Sequence, residues 1–214
     1  MHMKDEFTMP SKPQRRKHTE KDNRSKAICK LLGDKSVVLL GLMGAGKTAI
    51  GRRLAARLDI DFVDADTEIE IAAGKSISDI FTDHGEAHFR DGEHRVIARL
   101  LGGGPQVLAT GGGAYMNKDT RKMIERLGIS VWLKAELNIL MERVGRRDHR
   151  PLLKTSDPKA VMQRLMDERY PVYAKAGITV ESRDVAHDMI VNDIIIALTK
   201  SLALAGDGSQ NTGG

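Results

Sequence analysis

Between Ser36 and Thr48 the chain reads Ser-Val-Val-Leu-Leu-Gly-Leu-Met-Gly-Ala-Gly-Lys-Thr, and no other stretch limits the fold so strongly. Ser36 to Leu40 is a β-branched and apolar run that stops at a glycine, the pattern of a buried strand. Gly41 to Thr48 then fits G-x-x-x-x-G-K-[ST], and a helical pattern follows to about Leu58. Glycines allow the tight turn, so that backbone N–H groups point at phosphate oxygens. The helix N-terminus adds positive potential at the same place. Gly44, Ala45, Gly46, Lys47, Thr48 and Ala49 are therefore expected to hold nucleotide phosphates. Lys47 would neutralise the β- and γ-phosphates, and the Thr48 hydroxyl would bind Mg²⁺.

The rest of the chain alternates strand and helix. Further strands are expected at Asp61–Val63, Gln106–Ala109, Ser130–Leu133 and Ile178–Val180. Helices are expected at Ala65–Ala73, from the Ser76-Ile77-Ser78-Asp79 cap through Leu101, and at Asn117–Leu127, Glu136–Gly145, Asp157–Tyr170 and Ala186–Leu204. Such alternation predicts a three-layer α/β/α domain around a central five-stranded parallel sheet. Ligands in these folds sit at the carboxyl ends of the strands. The domain is expected over 31–205, with a basic, loose leader over 1–30 and a Gly- and Ser-rich tail over 206–214. A mobile lid is expected over about 145–156.

A loop that binds phosphates leaves open what receives them. Asp64 and Asp66 follow the second strand, where one carboxylate can approach a Mg²⁺ shell and the other can orient or deprotonate a hydroxyl. Thr110-Gly111-Gly112-Gly113 follows the third strand, and bare backbone there can approach a ligand closely. Arg90 and Arg169 lie on predicted helices and suit a carboxylate, which arginine grips with two parallel hydrogen bonds. Arg146, Arg147 and Arg150, ahead of Pro151, suit a lid that brings an arginine onto a transferring phosphoryl group. No N-K-x-D guanine-reading motif is present.

Composition narrows the classes further. Aromatics make up only 4% of the 214 residues, which argues against an aromatic platform for nucleic acid. The net charge of +5 is concentrated in residues 11–30, which carry eight Lys or Arg. Without that stretch the body is near neutral. The one cysteine, Cys29, cannot form an internal disulfide. No apolar signal-peptide core opens the chain, and the apolar run Met189–Ala205 is broken by Asn192, Asp193, Lys200 and Ser201. The expectation is a cytoplasmic monomer with no membrane or nucleic-acid partner.

Taken in order, GLMGAGKT (41–48), FVDADTEIE (62–70), GKSISDIF (74–81), FRDGE (89–93), LATGGGA (108–114), RPLL (150–153) and ERYPVY (168–173) resemble the shikimate kinases. These belong to the nucleoside-monophosphate-kinase-like group of P-loop proteins. The resemblance spans about Ser36 to Leu202. It implies transfer of the ATP γ-phosphoryl group to the 3-hydroxyl of shikimate, in chorismate and aromatic amino-acid synthesis. It implies a shikimate-binding region over about 64–93. In this reading Asp66 would hold the hydroxyls and act as base, and Lys47 and Arg150 would meet the transferring charge. Arg90 and Arg169 would grip the carboxylate. Gly111, Gly112 and Gly113 would line the ring, with Phe81 and Phe89 packed against it. Arg143 would lie against adenine, and Thr48 and Asp64 would serve Mg²⁺. The competing readings are a gluconate-type or nucleotide-monophosphate kinase and a non-catalytic ATP-binding regulator.

Overall fold

The computed structural model describes residues 25–146 and 156–207. Arg147 and Arg150, most of the expected lid and residues 208–214 lie outside the described residues. Five strands form one parallel sheet: β1 Ser36–Leu40, β2 Asp61–Asp64, β3 Gln106–Ala109, β4 Gly128–Lys134 and β5 Ile178–Glu181, in the order β2-β3-β1-β4-β5. Burial follows position. β1 and β3 are buried at every residue, whereas edge strand β5 alternates buried and exposed. Central parallel strands are covered on both faces, so they carry continuous apolar runs.

The helices are α1 (residues 25–32), α2 Lys47–Leu58, α3 Ala65–Ala73, α4 Ile77–Leu101, α5 Lys118–Leu127, α6 Leu137–Gly145, α7 Pro158–Tyr173 and α8 His187–Asp207. Side-chain caps set several starts. Asp64 accepts from Asp66 N, Ser76 from Asp79 N, and Asn117 from Asp119 N and Thr120 N. Gly85 interrupts α4 at φ 78 and ψ 174, so Ile77–His84 and Glu86–Leu101 are two helical pieces meeting at a corner. Helix α1 packs on the domain through Ile28 and Leu32, buried at 1% and 3% exposure. Cys29 within it donates to Leu58 O (2.9 Å), and burial and Asp59 push its thiol up.

Several boundaries differ from expectation: β2 and β5 each run one residue further, to Asp64 and Glu181, and α8 ends at Asp207 rather than Leu204. β4 extends to Gly128 and Lys134, paired along its length with β1 and β5. Helix α7 passes Pro171 and ends at Tyr173 rather than Tyr170. A proline this close to the end removes one backbone bond, and burial of Tyr173 with the Ala174 N to Tyr170 O bond (2.9 Å) holds the last turn.

Strand order explains how distant motifs meet. β2, β3 and β1 are consecutive neighbours, all pointing the same way. Their carboxyl ends therefore set Asp64 and Asp66, the triple-glycine turn and the phosphate loop side by side.

Candidate active site

The phosphate loop folds as its glycines allow. Gly44 and Gly46 take φ 83 and 93, and Gly46 caps α2. The Lys47 ammonium arches back over the loop and donates to Gly41 O (2.7 Å) and Leu42 O (3.2 Å). Lys47 and Thr48 open onto a cleft of about 360 Å³, which also takes in Asp64, Asp66, Arg143 and Asp184. Thr48 Oγ1 donates to Asp64 Oδ2 at 3.0 Å, so the loop threonine and the first carboxylate after β2 share one point. Asp64 Oδ1 also accepts from Asp66 N (3.2 Å) and fixes the start of α3. Asp64 thus serves as a helix cap and as an oxygen donor facing Thr48.

Arg143, on α6, lines the same cleft with its donors engaged. Nη1 reaches Gly44 O (3.4 Å) and Ser182 Oγ (2.9 Å), and Nη2 reaches Arg183 O (2.6 Å). Ser182 Oγ in turn donates to Ala45 O (2.9 Å). The loop after β5 is in this way strapped to the phosphate loop.

Beside the cleft lies the triple-glycine turn, which several charged side chains approach closely. A Cβ on Gly111 would stand 2.8 Å from both Asp66 Oδ1 and Glu93 Oε1. One on Gly112 would stand 2.9 Å from Arg169 Nη1, and one on Gly113 would fall on the Arg90 guanidinium. Two carboxylates and two arginines therefore converge on three residues that have no side chain to keep them away. Any larger residue would displace one of these groups.

The charges in this site are closely coupled. Glu93 is buried and pairs with Arg90 Nη1 at 2.7 Å, while Glu86 holds the other edge of that guanidinium. Burial pushes the Glu93 carboxyl above its ordinary value; Arg90 opposes this, Asp66 adds to it and Arg169 opposes it. Asp66 is also held above its ordinary value, first by burial and then by Asp64, with Lys47 working against both. Phe81 and Phe89 stack on each other with centroids 4.6 Å apart. The Arg90 guanidinium lies 5.1 Å over the Phe89 ring.

Asp64, Asp66, Lys47, Thr48, Arg90, Arg169 and the three glycines therefore come together, and Arg143 borders the cleft. Arg150 is outside the described residues. Glu93, Tyr173 and Ser182 received no role from sequence reasoning. For Glu93 a signal existed: it lies three residues after Arg90, the spacing that puts opposite charges on one helix face. Tyr173 and Ser182 act through contacts 61 and 137 residues away in sequence, which local patterns do not reveal.

Among known proteins, the sequence profile of the shikimate kinases matches residues 43–199. The chain is 58% identical over 175 residues to a shikimate kinase of Bradyrhizobium diazoefficiens, covering 82% of this chain and 84% of that one. It is 57% identical over 178 residues to a shikimate kinase of Rhodopseudomonas palustris, covering 83% and 88%. A solved shikimate kinase from Acinetobacter baumannii, in complex with shikimate, superposes with a TM-score of 0.74 at 36% identity, covering 80% of this chain and 94% of that one. With a profile matching most of its length and relatives this close, the chain belongs to the shikimate kinase family.

Proposed function

We propose that the protein transfers the γ-phosphoryl group of ATP to the 3-hydroxyl of shikimate, giving shikimate 3-phosphate and ADP. The observation that carries this reading is the convergence of Asp66, Arg90 and Arg169 on the Gly111–Gly113 turn, next to the phosphate loop. A small cyclic acid with several hydroxyls needs this combination: a carboxylate for the hydroxyls and arginines for its own carboxylate.

The chain's residues divide the work. Backbone N–H groups of Gly44 to Ala49 and the Lys47 ammonium receive the phosphates, and Arg143 borders the adenine. Arg90 and Arg169 hold the shikimate carboxylate, and Phe81 and Phe89 back the ring. The 3-hydroxyl oxygen attacks the γ-phosphorus as the bond to the β-phosphate oxygen breaks. Its proton passes to Asp66, whose raised affinity for protons suits it to receive one. Most of the acceleration comes from positioning and charge neutralisation.

Thr48 Oγ1 and Asp64 Oδ2, 3.0 Å apart, are hard oxygen donors that fit Mg²⁺. Two protein donors suffice, because this ion keeps water and substrate phosphates as its other ligands. When bound, Mg²⁺ supplies neutralisation of the phosphate charge. Among the described residues no helix is long and apolar enough to cross a membrane. A cytoplasmic setting, where ATP is available, fits the reading.

ADP release with shikimate, gluconate or AMP as acceptor tests the proposal. Shikimate alone should support turnover. Release with gluconate or AMP and none with shikimate would reject it.

A further inference from the structure

Arg90 and Arg169 are held in different ways. Arg90 sits between the Glu86 and Glu93 carboxylates. Among the described residues no carboxylate forms an ion pair with Arg169. A long, freely rotating arginine makes a poor receptor unless something orients it, because binding must then fix its rotamers.

Tyr173 is placed to do this. It follows Arg169 by four residues on α7, so both project from one helix face. Its ring is 1% exposed and packed among Trp132, Tyr170 and Tyr115, at centroid separations of 5.9, 6.3 and 6.4 Å. A ring so enclosed holds its hydroxyl in one place. That hydroxyl donates its one hydrogen to Gly112 O, which leaves its lone pairs to face the guanidinium. The position a Cβ of Gly112 would occupy is 2.9 Å from Arg169 Nη1 and 3.7 Å from Tyr173 Oη, so all three groups meet there. Burial pushes the phenol above its ordinary value, and Arg169 opposes the rise.

We propose that Tyr173 is a positioning residue whose hydroxyl ties the Gly112 turn to Arg169 and aims that guanidinium at the acceptor carboxylate. The inference rests on the reading of Arg169 as a carboxylate-binding residue. A neutral hydroxyl suits the task.

The test is a double-mutant cycle of Tyr173→Phe and Arg169→Ala, with steady-state kinetics for both substrates. Tyr173→Phe should raise the KM for shikimate by about tenfold, the scale of one hydrogen bond to a charged group. The kcat and the KM for ATP should stay within about twofold. In the Arg169→Ala background, Tyr173→Phe should add nothing, because the group it orients is gone. An unchanged KM in Tyr173→Phe, with a raised KM in Arg169→Ala, overturns this inference and leaves the role of Arg169 standing. Fully additive effects, or equal losses for ATP and shikimate, also overturn it, since they mark the hydroxyl as general support. An unchanged KM in Arg169→Ala removes the underlying reading and the inference together. The additivity comparison holds even if the phenylalanine variant is less stable.

Discussion

Gly113→Ala separates backbone freedom from close approach. Gly113 takes φ −96 and ψ −20, which alanine adopts without strain, so any effect must come from the added methyl. That methyl would fall on the Arg90 guanidinium. If Arg90 moves away, it gives up the 2.7 Å pair with Glu93, whose side chain is 3% exposed. Breaking a buried pair costs about 3–5 kcal/mol, and the lower end applies because Arg90 is 28% exposed. Alanine in place of glycine restores about 0.4–1 kcal/mol through the unfolded chain. The net loss is about 2–3 kcal/mol, a fall in Tm of roughly 4–12 °C for a chain of this size. The same displacement removes a charged grip on the shikimate carboxylate, and hydrogen bonds to charged groups contribute about 1.5–3 kcal/mol. The KM for shikimate should rise by about 10- to 100-fold, with the KM for ATP unchanged. Thermal denaturation and ADP-release kinetics at saturating ATP read both effects. A Gly113→Ala enzyme with parental Tm and parental KM for shikimate would show that Arg90 does not depend on the bare backbone at Gly113.

Gly92→Ala should act oppositely: nothing lies within 4 Å of a Cβ there, and the site is inside α4. A gain of about 1 kcal/mol, or roughly 2–4 °C in Tm, is expected with unchanged kinetics; a loss of stability would contradict the open space. Asp66→Asn should lower kcat by about 10²- to 10⁴-fold while leaving ATP binding intact, and a near-parental kcat would remove Asp66 as the base. The same variant should be more stable than the parent at pH 7. The folded carboxyl is raised above its ordinary 3.8, so its contribution to stability is present below that value and lost as pH rises through the folded pKa. The Tm difference between Asp66→Asn and the parent should therefore close as the pH falls toward 4. A parent more stable than Asp66→Asn at pH 7 would contradict the sign.

Much of this arrangement was legible in the chain, for physical reasons. The Gly41–Thr48 spacing works only between a strand and a helix, so it set the first βα unit and the phosphate cleft together. The Asp64–Asp66 pair and the triple glycine each follow a strand pattern, which placed them at the same edge of the sheet. That they are neighbours there depends on the order β2-β3-β1, a tertiary outcome that no local pattern encodes. Helix α7 runs past Pro171 to Tyr173 because proline propensity is local, whereas the packing of Tyr173 that overrides it is not. The same separation hid the Tyr173 to Gly112 and Ser182 to Ala45 contacts. Glu93 stood in plain view within FRDGE, but its burial against Arg90 needed the fold.

The proposed function makes the groups around Gly111–Gly113 an acceptor site for shikimate opposite the phosphate loop. Its most direct test is ADP release by the purified protein with Mg²⁺, ATP and either shikimate, gluconate or AMP, with the product's phosphate located by phosphorus–proton NMR coupling. One ADP is expected for each shikimate phosphorylated on its 3-oxygen, with no release for the other acceptors. Turnover with gluconate or AMP but not with shikimate, or a phosphate on another oxygen, would contradict it.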